Sequence, residues 1–183
     1  MENYITVDRI KKEFDFVNLV ITTTNIDAKN EEDLFKTFSE EEFNLKKLTR
    51  NSQIHSSIVN KIDENNIGQR IDGDALITNV AQVPLLILTA DCVPVVIIDP
   101  KNKAIGVAHA GWRGTYDKIC KNTIDEMVKD YNSNPEDLVC VIGPSIGVCC
   151  YEVSEELVEK FNTNLANHAG KFDIIKDGKH YLD

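Results

Sequence analysis

Aromatic side chains are scarce in this chain of 183 residues, at 7%, and it holds only nine Gly and five Pro. So little Gly and Pro excludes a collagen-like or low-complexity chain. Basic charge is scarce too. Lys and Arg number 20 against 30 Asp and Glu, a formal charge of −10, and no run of Lys or Arg exceeds two residues. Duplex nucleic acid and anionic membranes repel such a chain, so neither is an expected partner. The N-terminal stretch Met1 to Phe16 has no basic segment followed by an apolar core and a small-residue cleavage site, and does not read as a signal peptide. The longest apolar tract, Val83 to Ile98, is broken by Thr89, Asp91 and Pro94, which excludes a membrane span. Five cysteines are an odd number in a chain long enough to bury about 70% of its unfolded surface without staples. Reduced thiols and a cytoplasmic location are the expectation.

What is present reads as one acidic globular domain over residues 1–183, in three zones. Residues 1 to 50 are polar, with one strand candidate, Phe16 to Thr23. Asn30 stands where it can cap the acidic turn Glu31-Glu32-Asp33. Ser39 with Glu42 makes a capping-box pattern ahead of Phe43, Leu45 and Leu48. Both patterns predict short helices. In the middle zone, Ala75 to Thr78, Leu85 to Thr89, Val93 to Ile98 and Ala104 to Ala108 are short apolar runs that suit strands covered on both faces. The last two read as a hairpin with a five-residue loop.

Beyond Gly114 the period becomes helical. Ile119, Thr123, Ile124, Met127, Val128 and Tyr131 recur at three and four residues, with Thr115 as a fair N-cap. Asn134-Pro-Glu-Asp137 turns into a strand, Leu138 to Ile142. Ser154 then caps a helix whose buried face is Leu157, Phe161 and Leu165, with Glu155 and Glu156 in its positive first turn. The sum is a mixed α/β or α+β domain with its sheet in the middle.

Motif spacing alone is quiet. There is no Cys-x-x-Cys, no His-Glu-x-x-His and no phosphate-binding loop with Lys. Three places nevertheless carry chemistry that a pure core does not need. They are His55, the interruption Thr89-Ala-Asp-Cys92, and His109-Ala-Gly-Trp-Arg-Gly-Thr115. Gly111 and Gly114 let the backbone approach a ligand, and Arg113 with the following helix start can hold an anion such as phosphate. A tight turn with Arg113 in a salt bridge and Trp112 in the core fits the same residues. His55, Cys92 and His109 could form a three-ligand zinc site with an open position, if strand ends converge. Alternatively, Cys92 is a nucleophile and His109 its base, or both are plain core residues. Asp91 can serve the same site as Cys92 only if the chain leaves the strand there, because neighbours in a strand face opposite ways. Cys149 and Cys150, being adjacent, are not expected to bridge, and read as buried and inert. His168 and His180 read as surface residues.

Several longer segments now stand in order: Gln53-Ile-His55, Asp74-Ala-Leu-Ile-Thr78, Leu88-Thr-Ala-Asp-Cys92-Val-Pro94, Ala108-His-Ala-Gly-Trp-Arg-Gly114, Ile142-Gly-Pro-Ser-Ile-Gly147 and Cys149-Cys-Tyr-Glu-Val153. Together they resemble the YfiH, or laccase-domain (DUF152), proteins, described as zinc-dependent purine nucleoside phosphorylases with adenosine deaminase activity. The resemblance spans roughly residues 50 to 160. It implies an α+β fold with central mixed β-sheets flanked by helices, similar to a cytotoxic necrotizing factor catalytic domain. It also implies that the chain is an enzyme in which His55, Cys92 and His109 bind Zn2+. Its implied substrates are phosphate and a purine nucleoside: adenosine, inosine, guanosine or methylthioadenosine. Arg113 as the phosphate holder and Asp91 as the proton shuttle are physical inferences added to that resemblance.

Two departures stand out. Thr22-Thr-Thr-Asn25 replaces the family's usual Arg and Gly-Gly-Val-Ser segment. The chain also ends where the family continues into a further helix and strands, so it reads as C-terminally shortened. An uncovered sheet edge would then invite pairing with a second copy in a homo-oligomer. The rival readings are a Cys/His hydrolase and a catalytically impaired zinc-binding scaffold. Copper oxidase chemistry, which the laccase label suggests, needs many imidazoles; four His, two of them in polar surroundings, exclude it.

Overall fold

The apolar, β-branched runs of the middle zone form the sheet on which everything else is placed. A computed structural model describes residues 2–164 and 173–182 of the chain. In chain order its N-terminal elements are β1 (Tyr4–Thr6), α1 (Asp8–Glu13), β2 (Val20–Thr22), α2 (Glu31–Thr37) and β3 (Thr49–Arg50). The middle holds β4 (Val59–Lys61), β5 (Ala75–Thr78), β6 (Leu85–Leu86), β7 (Val93–Asp99) and β8 (Ala104–Ala110). Then come α3 (Trp112–Tyr116), α4 (Ile119–Tyr131), β9 (Val139–Ile142), β10 (Glu152–Val153), α5 (Glu155–Asn164), β11 (Asp173–Lys176) and β12 (Lys179–Leu182).

The central sheet has the order β4-β5-β8-β7-β9. β4 and β5 are parallel and the remaining neighbours antiparallel, so the sheet is mixed. Three small sheets, β1-β2, β3-β6 and β10-β12-β11, lie around it. The helices and mixed sheets agree with the expected α+β class.

Alternation along the strands assigns the two faces. Ala75, Ile77, Val95, Ile97 and Ala108 join one cluster with Ile119, Met127 and Tyr131 of α4. Along that helix Ile119, Thr123, Met127 and Tyr131 are buried at four-residue spacing. Burying each large apolar side chain stabilises by about 1.5–3 kcal/mol. Gly106 lets the helix approach, for a Cβ there would sit 3.2 Å from Met127 Sδ and Thr123 Cγ2. On the opposite face Leu76 and Val107 pack with Ile62 and Val83, while Ile98 packs with Ile10 and Val17. Between this face and the N-terminal segments lies a cavity of about 1050 Å³, lined by Leu19, Ile21, Phe43, Ile105 and Val141 among others.

Several local expectations are corrected. The strand expected from Phe16 shrinks to Val20–Thr22, because Val17 turns into the core beside Ile98. Asn30 does cap α2, its side chain accepting the N–H of Glu32 at 3.0 Å. The Ser39–Glu42 capping box also forms, but only a turn and a 3-10 helix, Leu45–Lys47, follow it. The pull of the core explains this: Leu45 and Phe43 are drawn into the cluster of Ile26, Leu34 and Phe38. Thr115 is no cap. It lies inside α3, and Lys118, in the left-handed conformation at φ 62°, separates α3 from α4. Val128 proves exposed rather than part of the buried face of α4. Ser154 caps α5 as expected, accepting the Leu157 N–H at 3.3 Å. Leu165 and His168 lie outside the described residues.

Candidate metal centre

The register of three strands builds the site. Ala75 pairs with Ala108 and Pro94 with His109, so Asp74 stands opposite His109, and Cys92 lies just before β7 at the same end of the sheet. The His109 N–H donates to the Asp74 carbonyl at 2.7 Å, which extends the β5–β8 ladder to this point. Residues 90–92 leave the strand as a bend, the condition under which Asp91 and Cys92 can share a site.

His55 arrives from a different direction. The side-chain amide of Gln53 brackets Leu88, donating to its carbonyl at 2.8 Å and accepting its N–H at 2.7 Å. This rung ties the His55 segment to the stretch that leads into Cys92. His55 itself has φ 58°, the left-handed region. That conformation turns the N–H groups of Ile54, His55 and Ser56 onto one carboxylate, Asp74, at 3.2, 3.1 and 2.6 Å. The Ser56 hydroxyl adds a bond of 2.8 Å. Successive N–H groups around a left-handed residue make an anion-binding nest, and here the anion is the protein's own.

Asp74 is 0% exposed, and its Oδ1 also lies 2.8 Å from Nδ1 of His109, which is 4% exposed. Burial alone would raise the Asp74 carboxyl, but bonds from His109, Ser56 and Ile54 outweigh it and hold the group below its ordinary value. An ionised carboxylate only accepts, so Nδ1 of His109 carries the proton and Nε2 keeps its lone pair for a ligand. One buried carboxylate thus fixes the loop of one histidine and the tautomer of another.

The donor atoms of His55, Cys92 and His109 all lie within 4.8 Å of one another. The two imidazoles meet edge to face, with centroids 4.9 Å apart. Zinc bonds of about 2.0–2.1 Å to nitrogen and 2.3 Å to sulfur require closure by about 1 Å, within the reach of rotation at the exposed His55. Gly111 makes room for the cluster: a Cβ there would sit 3.0 Å from Cys92 Sγ and 3.1 Å from His55 Cδ2. Gly114 serves the same end, since its Cβ would lie 2.9 Å from the carbonyl of Ser56. Burial, followed by the charges of Asp91 and Asp74, pushes the Cys92 thiol up. Such surroundings disfavour a free thiolate nucleophile and favour a cation. Two imidazoles and a thiol therefore fit a zinc ion with one position left open.

The remaining expected residues lie at the rim. Asp91 is exposed. Arg113 is exposed on α3, with its guanidinium carbon 4.4 Å from the Trp112 ring centroid, and it makes no ion pair among the described residues. Trp112 is half-buried against Phe161 and Leu182. Asp74 was not among the expected site residues, although it opens one of the quoted motifs. Tyr151 is a further neighbour: burial and then Cys92 and Asp91 push its phenol up, while Arg113 opposes them.

Gly143-Pro-Ser-Ile-Gly147 has the Gly-x-Ser-x-Gly spacing of a serine-hydrolase elbow, which requires a strand, a sharp turn and a helix. Residues 143–147 instead run on from β9 with no helix after them, so the spacing carries no nucleophile. Cys149 and Cys150, expected to be buried, are both exposed, because the turn at 148–150 leaves the sheet. His180, expected at the surface, is half-buried, with Nδ1 2.7 Å from Asp173 Oδ2.

A mixed sheet carrying a His/Cys/His cluster at one end defines a candidate metal-centre protein. The chain belongs to the family described as multi-copper polyphenol oxidoreductase laccase, whose pattern matches residues 8–183. A protein of Clostridium acetobutylicum named purine nucleoside phosphorylase is 37% identical over 144 residues, covering 77% of this chain and 58% of its own length. One named adenosine deaminase, from an unknown prokaryotic organism, is 36% identical over 151 residues, covering 76% and 56%. The crystal structure of the Bacillus licheniformis hypothetical protein YfiH superposes with a TM-score of 0.76 at 29% identity, over 84% of this chain and 61% of that one. The chain therefore spans less than two thirds of the length of each. Among the described residues no helix is long and apolar enough to cross a membrane.

Proposed function

We propose that this chain is a zinc-dependent purine nucleoside phosphorylase with adenosine deaminase activity, and that His55, Cys92 and His109 hold its Zn2+. The observation that carries the reading is the convergence of those three donors, backed by Asp74 and made room for by Gly111. The names of the relatives supply the reaction class. Zinc on three protein ligands supplies Lewis-acid chemistry through its open coordination position.

The protein's own groups do the rest. Asp74 holds His109 with its Nε2 lone pair toward the cluster. Asp91, exposed on the bend beside Cys92, relays a proton to the purine ring during deamination. Arg113, stacked on Trp112 and unpaired by any described acid, binds phosphate and steers it toward C1′ of the ribose. Phosphate and a purine nucleoside are the small-molecule partners. Five free thiols fit a reducing cytoplasm. Stoichiometric zinc would occupy the Cys92 sulfur and argue against the Cys/His hydrolase reading.

The test combines metal analysis with product separation. Zinc should be stoichiometric with the chain. Adenosine should give adenine in the presence of phosphate and inosine in its absence. His55→Ala, Cys92→Ala and His109→Ala should each lose zinc and both products, whereas activity persisting in all three would overturn the assignment. In the same assay Arg113→Ala should raise the phosphate KM and leave inosine formation unchanged.

A further inference from the structure

Two thiols stand side by side in the turn that follows β9, outside the metal cluster. Cys149 and Cys150 are both exposed, and their Sγ atoms are 3.1 Å apart. The turn is a fixed one. The N–H groups of Cys150 and Tyr151 both donate to the Gly147 carbonyl, at 2.9 and 3.0 Å, and the Glu152 N–H donates to the Cys150 carbonyl at 3.0 Å. It is anchored to the bend that carries the metal-site cysteine, since Ile146 N–H donates to the Asp91 carbonyl at 2.9 Å. Among the described residues the metal-ligand cluster contains neither thiol.

We propose that Cys149 and Cys150 form a vicinal dithiol site that closes into an intramolecular disulfide, with a low-molecular-weight disulfide such as glutathione disulfide as the oxidant. One of the two thiolates attacks one sulfur of the reagent, forming a mixed disulfide and expelling one small thiolate. The other thiolate then attacks the captured protein sulfur, forming the protein disulfide and expelling the second small thiolate. The two protons released by the cysteines are taken up by the two departing thiolates. Two electrons pass from the protein pair to the reagent, which is reduced to two thiols.

Geometry favours the second step over any competing capture. A sulfur already 3.1 Å away is at near-attack distance, so closure is effectively unimolecular. Both thiols are exposed, so whichever is captured first is resolved by the other across the same 3.1 Å. Adjacent Cα atoms are about 3.8 Å apart, below the usual disulfide range of about 4.4–6.8 Å. The resulting ring is strained and therefore easily reduced, as labile rather than structural disulfides are.

The experiment needs no enzyme assay. Zinc-loaded protein is treated with glutathione disulfide, remaining thiols are alkylated, and the digest is read by mass spectrometry. The peptide with Cys149 and Cys150 should lose two hydrogens and carry neither alkyl group nor glutathione, while exposed Cys140 carries the glutathione adduct. Dithiothreitol should restore both thiols. In Cys149→Ser or Cys150→Ser the remaining thiol should instead retain glutathione. Alkylation of both thiols after treatment, or stable glutathione on either thiol in the unsubstituted protein, would overturn the proposal.

Discussion

Asp74 orders the candidate site without being one of its three donors. It accepts bonds from the N–H groups of Ile54, His55 and Ser56, from the Ser56 hydroxyl and from Nδ1 of His109. Asn is nearly the same size, but it has one acceptor oxygen in place of two, so part of that set is left unpaired. Partners that orient a metal-binding histidine are typically worth 10–100-fold in affinity. Asp74→Asn should weaken zinc binding by about that factor in competition with a chromogenic chelator, and an unchanged affinity would remove Asp74 from the site. Cys92 and His109 stood out in the sequence as reactive residue types, but spacing left metal ligand, nucleophile pair and core residue all open, and only the resemblance favoured the metal. Asp74 did not stand out, because its role depends on the β5–β8 register that places it opposite His109. Gly111 is similar: its value lies in the space it leaves for Cys92 and His55, which no single sequence displays.

At the scale of elements, the β7–β8 hairpin has its own built-in lock. Asp99, 1% exposed, accepts the N–H groups of Lys101 and Asn102 at 2.9 and 3.0 Å and the Asn102 amide at 2.7 Å. Burial would raise its carboxyl, but the hydrogen bonds from Asn102 and Lys101 prevail and hold it low. A depressed native value stabilises the fold above the unfolded carboxylate range, and that stability is lost as pH falls through the native value. Asp99→Ala should therefore cost about 1–3 kcal/mol in urea unfolding at pH 7. The cost should shrink below about pH 4, where the parent loses the same interaction. Long elements with a clear period, such as α4, were readable from sequence. The Ser39–Glu42 box misled because its bonds form without enough following turns to make a helix, and burial of Phe43 and Leu45 decides the path instead.

Across the whole molecule, the pairing of β4 with β5 in parallel and the order of the five strands had no local signal. They arise from long connections whose only reward is the shared core. Among the described residues that order leaves β9 with one neighbour, β7, in the central sheet, and with Ile142 72% exposed at its end. A free edge with an apolar tip is a template for a second chain. Ile142→Lys should lower concentration-dependent association measured by light scattering, and an identical profile would show that the edge is not the contact.

His55, Cys92 and His109 come from three distant stretches that only the folded sheet assembles. An extended chain has no such chelate, so an ion bound there would act as a ballast, shifting the balance between native and denatured molecules by mass action. Scarcity of that ion would then shorten the lifetime of the polypeptide against proteases.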